Sequence, residues 1–96
     1  MTHYVVVQMD PKDPETLQQY YKVGGAAVKK HGGYPIAGGA DKTVLEDNGG
    51  GIPAHVLLAF PDADAATGWI EDSELAEVHA LRRKGAHTTI TLLPPM

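Results

Sequence analysis

Cysteine is absent from this chain of 96 residues, and with it go disulfides, thiolate nucleophiles and cysteine-ligated zinc. Serine occurs once, at Ser73, where a helix cap explains it better than a nucleophile does. Positive charge is not in excess. Eight Lys and Arg stand against twelve Asp and Glu for a formal net charge of −4, so nothing electrostatic invites nucleic acid or an anionic membrane. Long hydrophobic runs are missing too. The stretch Tyr4 to Val7 lacks the length, basic flank and cleavage site of a signal peptide, and no segment approaches the ~18 apolar residues of a membrane span. The expectation is a soluble cytoplasmic protein with neither nucleic acid nor membrane as partner.

What is present is an ordinary globular composition, 43% hydrophobic and 21% charged, which argues against disorder. The length suits one domain over residues 1–96, with a folded surface of about 5,300 Å² and room for one thin two-layer core.

Strand and helix signals alternate along the chain. His3 to Met9 is rich in β-branched and aromatic residues and reads as a buried strand. Asp13 is a good N-cap and Pro14 suits the first helical position, so a helix is expected to about Lys30, stopped by Gly32-Gly33. Its apolar stripe runs through Leu17, Tyr20, Tyr21, Gly24, Ala27, Val28 and His31. Tyr34 to Ala40 and Lys42 to Asp47 read as one long strand interrupted at Gly38-Gly39, by a bulge or a close backbone approach. Asn48 to Gly51 reads as a turn, His55 to Phe60 as the third strand and Ala63 to Ile70 as a helix. Asp72 or Ser73 caps a further helical piece to about Lys84, Gly85 ends it, and His87 to Leu93 is a last strand.

The order β-α-β-β-α-β, with two halves that rhyme, points to the α+β class: a ferredoxin-like sandwich of one four-stranded antiparallel sheet with its helices on one face. Strands one and three carry apolar residues at alternate positions on both faces, among them Tyr4, Val6 and Leu57 as well as Val5, Val7 and Leu58. Helices cover only one of those faces. The other is too apolar to face water and is expected to meet a second copy, giving a homodimer.

Asp13-Pro14-Glu15 with Tyr20-Tyr21, His31-Gly32-Gly33-Tyr34, Gly38-Gly39 and Glu46 are followed by Ala59-Phe60-Pro61, Ala65-Ala66, Trp69, and Arg82 ahead of Ala86. Together, over nearly the whole chain, these resemble the family catalogued as domain of unknown function 1330. The resemblance implies a dimeric α/β barrel, two ferredoxin-like sheets packed face to face, with no activity established for the family in general. Related barrels include cofactor-free monooxygenases, lactone isomerases and haem enzymes, which is analogy at the level of the fold. The chain also departs from the family pattern. Ala37 and His55 stand where arginines are common, and Leu75 where a tyrosine is common. A shared anionic-substrate site would here be rebuilt or lost.

His3, His31, His55, His79 and His87 show neither an i,i+4 pair nor a carboxylate cluster at ligand spacing, so no metal and no cofactor is expected. Gly49 to Ala54 fits G-x-G-x-x-A only on paper, since it precedes a strand and contains Pro53. Asp62-Ala63-Asp64 starts like a calcium loop but lacks the glycine and closing glutamate. Arg82 is the sharpest signal. Leu75, Val78 and Leu81 define the apolar stripe of the last helix, and Arg82 lies within about 40° of its centre while Arg83 and Lys84 lie outside. Such an arginine must find a carboxylate, a carbonyl or a ligand, and His79 one turn earlier shares its opening. Gly24 and Gly25 inside the first helix each cost about 1 kcal/mol against alanine, to be offset by close packing or by room for a ligand beside Tyr20, Tyr21 and His31.

The functional expectation is a small-molecule site between sheet and helices lined by Tyr20, Tyr34, His55, Trp69, His79 and Arg82, with His31 near it. Its ligand would be a small anionic or aromatic metabolite. If the site turns that ligand over without a cofactor, Arg82 holds a carboxylate or enolate and His55 or His79 acts as base. The rival is a non-catalytic dimeric binding or accessory protein in which the same residues merely pack. Convergence decides between them: two or more polar groups around one cavity, or an Arg82 already engaged and no void.

Overall fold

Residues 1–39, 41–49 and 53–96 are described by the computed structural model. Strand β1 is His3–Pro11, helix α1 Pro14–Lys30, strand β2 Tyr34–Gly38, strand β3 Ala54–Phe60, helix α2 Ala63–Glu71, helix α3 Ala76–Gly85 and strand β4 Ala86–Leu93; a 3-10 turn, Ser73–Leu75, leads into α3. The sheet is antiparallel with order β2-β3-β1-β4, the ferredoxin-like arrangement of the α+β class.

Local chemistry sets the helix ends. Asp13 caps α1, accepting from the Thr16 amide at 3.4 Å and from the Thr16 hydroxyl at 2.7 Å, and Pro14 follows where a missing N–H costs nothing. The Gly33 amide returns to the Val28 carbonyl at 3.1 Å, and Gly32 turns the chain with φ +78°. Gly33 is bare for a second reason: a Cβ there would stand 2.5 Å from Phe60 Cε1.

Register assigns the two faces of the sheet. Val5 pairs with Leu58, Val7 with Val56 and Ile90, and these side chains join Leu17, Tyr20, Val28, Trp69 and Leu75 of the helical layer in one core. The alternate set, Tyr4, Val6, Leu57 and Leu93, shares the opposite face because Tyr4 pairs with Leu93 and Val6 with Leu57. The molecule is a slab of 35 × 35 × 18 Å. It exposes 6368 Å², against the about 5,300 Å² expected of a compact monomer of this mass.

The long second strand expected to run to Asp47 stops at Gly38. Its bulge falls at Ile36, where the register shifts between Pro35 and Ala37. Gly38 serves a close approach instead, since a Cβ would stand 3.0 Å from the His55 carbonyl oxygen. Gly38 and Gly39 both have positive φ, and Gly38 pairs with Val56, close to the start of β3 at Ala54. A β2 continued past Gly38 would run out of partners on β3, and Lys42 to Asp47 runs as exposed chain with Leu45 95% accessible. Of the turn expected at Asn48 to Gly51, Gly50 and Gly51 lie outside the described residues; Gly49 donates its amide to Asp47 at 2.8 Å. Gly85 is the final residue of α3 instead of its stop, and its carbonyl accepts from the Lys12 and Asp13 amides at 2.9 and 3.0 Å. Among the described residues no helix is long and apolar enough to cross a membrane.

Candidate functional site

The apolar stripe of α3 carries His79 and Arg82 inward, so both side chains are only 2% exposed. Their roles follow from which groups can donate. The Trp69 carbonyl can only accept, so His79 Nε2 carries the proton and donates to it at 2.8 Å. His79 Nδ1 is then free to accept, and Arg82 Nη1 donates to it at 2.6 Å. Burial pushes the His79 imidazole below its ordinary pKa, the charges of Arg82 and Arg83 push the same way, and the Trp69 carbonyl works against them. His79 is a neutral acceptor locked in one tautomer.

Arg82 is unusual in having no carboxylate. It takes part in no ion pair among the described residues, and its buried Nε finds no hydrogen-bond partner. Burial lowers the guanidinium pKa, while the Tyr20 hydroxyl, by charge and hydrogen bonding, favours the charged form. The guanidinium carbon stands 5.8 Å from the Trp69 ring centroid and 6.0 Å from that of Tyr20, within range of cation–π attraction. Trp69 itself is core, 5.5 Å from Phe60 and edge-on to His79 at 5.4 Å.

Tyr20 faces two ways. Behind it lies Arg82, and in front is a cavity of about 150 Å³ between α1 and the sheet. The floor is Val7, Met9 and Leu58, all buried, and exposed Tyr21 and Pro35 stand at the mouth. Gly24 and Gly25 form part of the wall. A Cβ on Gly24 would lie 2.9 Å from Tyr20 Cζ and 3.2 Å from its hydroxyl oxygen, whereas one on Gly25 would meet nothing within 4 Å. Close packing thus explains the first glycine, and open space surrounds the second.

The remaining expected site residues lie elsewhere. Arg82, His79 and Trp69 stay behind Tyr20 and do not line the cavity. His55 pairs with Gln8 in the sheet and has the opposite parity to Val56, so it lies on the uncovered face. There it borders a shallower hollow of about 660 Å³ with Gln8, Glu46 and neighbouring loop residues. Tyr34, 57% exposed, pairs with Ala59 on that same face. His31 caps the end of α1, where its Nε2 meets Asp72 Oδ2 at 2.8 Å. The sheet's thickness separates His55 and Tyr34 from the other candidates, and His31 does not line the cavity.

Asp72 has a role beyond the cap read from sequence. One carboxylate oxygen accepts from the Glu74 amide at 2.8 Å, and the other meets both Lys30 Nζ at 2.7 Å and His31. Lys30, then His31, then the Glu74 amide hold this carboxyl well below the usual range. The latch ties the end of α1 to the α2–α3 junction across 41 residues of chain. Two basic residues at a helix end were the only sequence signal for it. Among the described residues no three His, Asp or Glu side chains gather as a metal site would require.

The profile of a domain of unknown function, DUF1330, matches residues 2–96. No curated protein matches the sequence. Solved structures show the fold. A protein of unknown function from Rhodopseudomonas palustris aligns at TM-score 0.73 and 18% identity, over 99% of this chain and 82% of its own. A dimeric ferredoxin-like protein of unknown function from Jannaschia sp. CCS1 aligns at 0.71 and 10% identity, over 99% and 100%. SnoaB, a cofactor-independent oxygenase from Streptomyces nogalater, aligns at 0.57 and 14% identity, over 99% and 91%.

Proposed function

The chain belongs to the DUF1330 family, and from that membership we propose that it is a homodimeric binding protein whose ligand is a small, largely apolar molecule of aromatic shape held between α1 and the sheet. The cavity of about 150 Å³ floored by Val7, Met9 and Leu58 carries this reading. A pocket of that size with apolar walls has room for a benzene-sized molecule. Among the α1 residues that border it, Gly25 leaves the wall bare, since a Cβ there would meet nothing within 4 Å. Dimerisation is supported by the apolar set Tyr4, Val6, Leu57 and Leu93 on the uncovered face, by the extra exposed area, and by the dimeric state of the Jannaschia protein.

Turnover without a cofactor is the second reading, and the fold shared with SnoaB favours it. It needs a base at the cavity. His79 has both ring nitrogens engaged inside the core, and His55 lies across the sheet, so binding leads. A titration of the purified protein with benzene, indole and benzoate, followed by melting temperature and by amide shifts of α1, tests it. Saturable shifts at Tyr21, Gly25 and Val56 support the reading. No shift at those residues with any of the three sinks it.

A further inference from the structure

We propose that the Tyr20 hydroxyl is the cavity's hydrogen-bond donor, so that the site selects apolar molecules carrying one acceptor oxygen, a carbonyl or an enolate, with Arg82 as its positioning residue. This deepens the cavity reading above and rests on it.

The Arg82 guanidinium carbon stands 6.0 Å from the Tyr20 ring centroid, and a cation that carries donors only turns the phenol's hydrogen away from itself. No acceptor among the described residues takes that hydrogen. The phenol head lies in the cavity wall, because a Cβ on Gly24, which also forms that wall, would stand 3.2 Å from the hydroxyl oxygen. Floor residues Val7, Met9 and Leu58 offer no acceptor beyond the weak Met9 thioether. A bound molecule is the natural acceptor, and an O–H in apolar surroundings discriminates strongly for one.

Arg82 holds this arrangement in place. It is fixed from behind by His79, which is fixed in turn by the Trp69 carbonyl. No carboxylate among the described residues neutralises the guanidinium, so its charge acts on Tyr20 from 6.0 Å away. Its charge polarises the phenol, making the outward hydrogen a better donor.

Two probes of matched shape read the effect: acetophenone, and α-methylstyrene, in which a methylene replaces the carbonyl oxygen. Dissociation constants by calorimetry or amide shifts should favour acetophenone by about fivefold in the wild-type protein. The ratio should fall towards one in Tyr20→Phe. Arg82→Met should lower it, and Arg82→Lys should recover part of the loss, which a merely structural arginine would not do. Equal affinity for both probes in the wild-type protein overturns the donor role of Tyr20 and leaves the cavity reading standing. Binding of neither probe overturns the cavity reading and this inference together. A ratio unchanged in Arg82→Met removes Arg82 from the inference.

Discussion

Arg82 Nη1 donates to His79 Nδ1 across 2.6 Å, and neither side chain reaches solvent. A buried cation thus rests on a neutral ring, with its Nε unsatisfied, where most buried arginines meet a carboxylate. Nothing in the packing of α3 requires a charge there, since methionine would fill the same apolar stripe. The Tyr20 hydroxyl on its other side gives the charge something to do.

Arg82→Met follows directly. Removing one partner of a buried ion pair costs about 3–5 kcal/mol, because the other charge is stranded. Here no carboxylate would be stranded; only the neutral His79 Nδ1 loses its donor, at about 1–3 kcal/mol, partly offset by relief of the desolvated guanidinium. Urea denaturation should show a loss below about 2 kcal/mol. A larger loss would mean that the arginine is primarily structural.

His79→Gln isolates the buried imidazole. A glutamine amide keeps a donor for the Trp69 carbonyl and an acceptor for Arg82 but does not titrate. The folded pKa of His79 is depressed, so below about 6.5 the unfolded chain binds the proton first. The stability this group contributes is complete above that value and is lost as pH falls towards the folded pKa. The denaturation midpoint should drop more between pH 7 and 5 for the wild-type protein than for the variant. Parallel curves would show that His79 does not titrate in this range.

Asp72→Asn tests the latch. The folded carboxyl sits well below its usual range, with Lys30 the leading cause, so its contribution is present above the unfolded value of about 3.9 and is lost as pH falls through the folded one. The variant should melt at a lower temperature at pH 7, and the two proteins should converge near pH 2. A constant difference across that range would assign the effect to the Glu74 cap alone.

Gly24 and Gly25 should respond oppositely to alanine. Gly25→Ala adds a Cβ that meets nothing within 4 Å and should stabilise α1 by about 0.8–1 kcal/mol, while narrowing the cavity and weakening uptake of benzene. Gly24→Ala sets a Cβ 2.9 Å from Tyr20 Cζ and should cost about 1 kcal/mol net, because displacing a buried ring outweighs the gain in helix propensity. Equal stabilisation by both would show that the phenol head is not held where the cavity argument needs it.

Val6→Lys, directly opposite Leu57 on the uncovered face, should leave the fold intact and break the dimer. Light scattering should give twice the chain mass of 10.2 kDa for the wild-type protein and the single mass for the variant. A wild-type protein that scatters as 10.2 kDa at micromolar concentration would refute the dimer.

Periodicity and caps made the architecture legible in the sequence itself. Asp13-Pro14 opened α1, Gly32-Gly33 closed it, and alternation in β1 and β3 marked two apolar faces, because these signals act over a few residues through backbone sterics and local hydrogen bonds. The inward direction of His79 and Arg82 was equally local, since 100° per residue fixes which side of a helix a residue occupies. The sequence also made Lys42 to Asp47 look strand-like, and there it misled: a strand needs a partner along its length, and β3 starts at Ala54, so a β2 continued past Gly38 runs out of partners. Only the tertiary structure could separate His55 and Tyr34 from Arg82, because one step of strand parity moves a side chain through the full thickness of the sheet. Only it could join His31 to Asp72 across 41 residues, or show that Tyr20 stands between a buried guanidinium and an open cavity. Partners distant in the chain are chosen by how the layers pack, and composition and spacing carry no record of that choice.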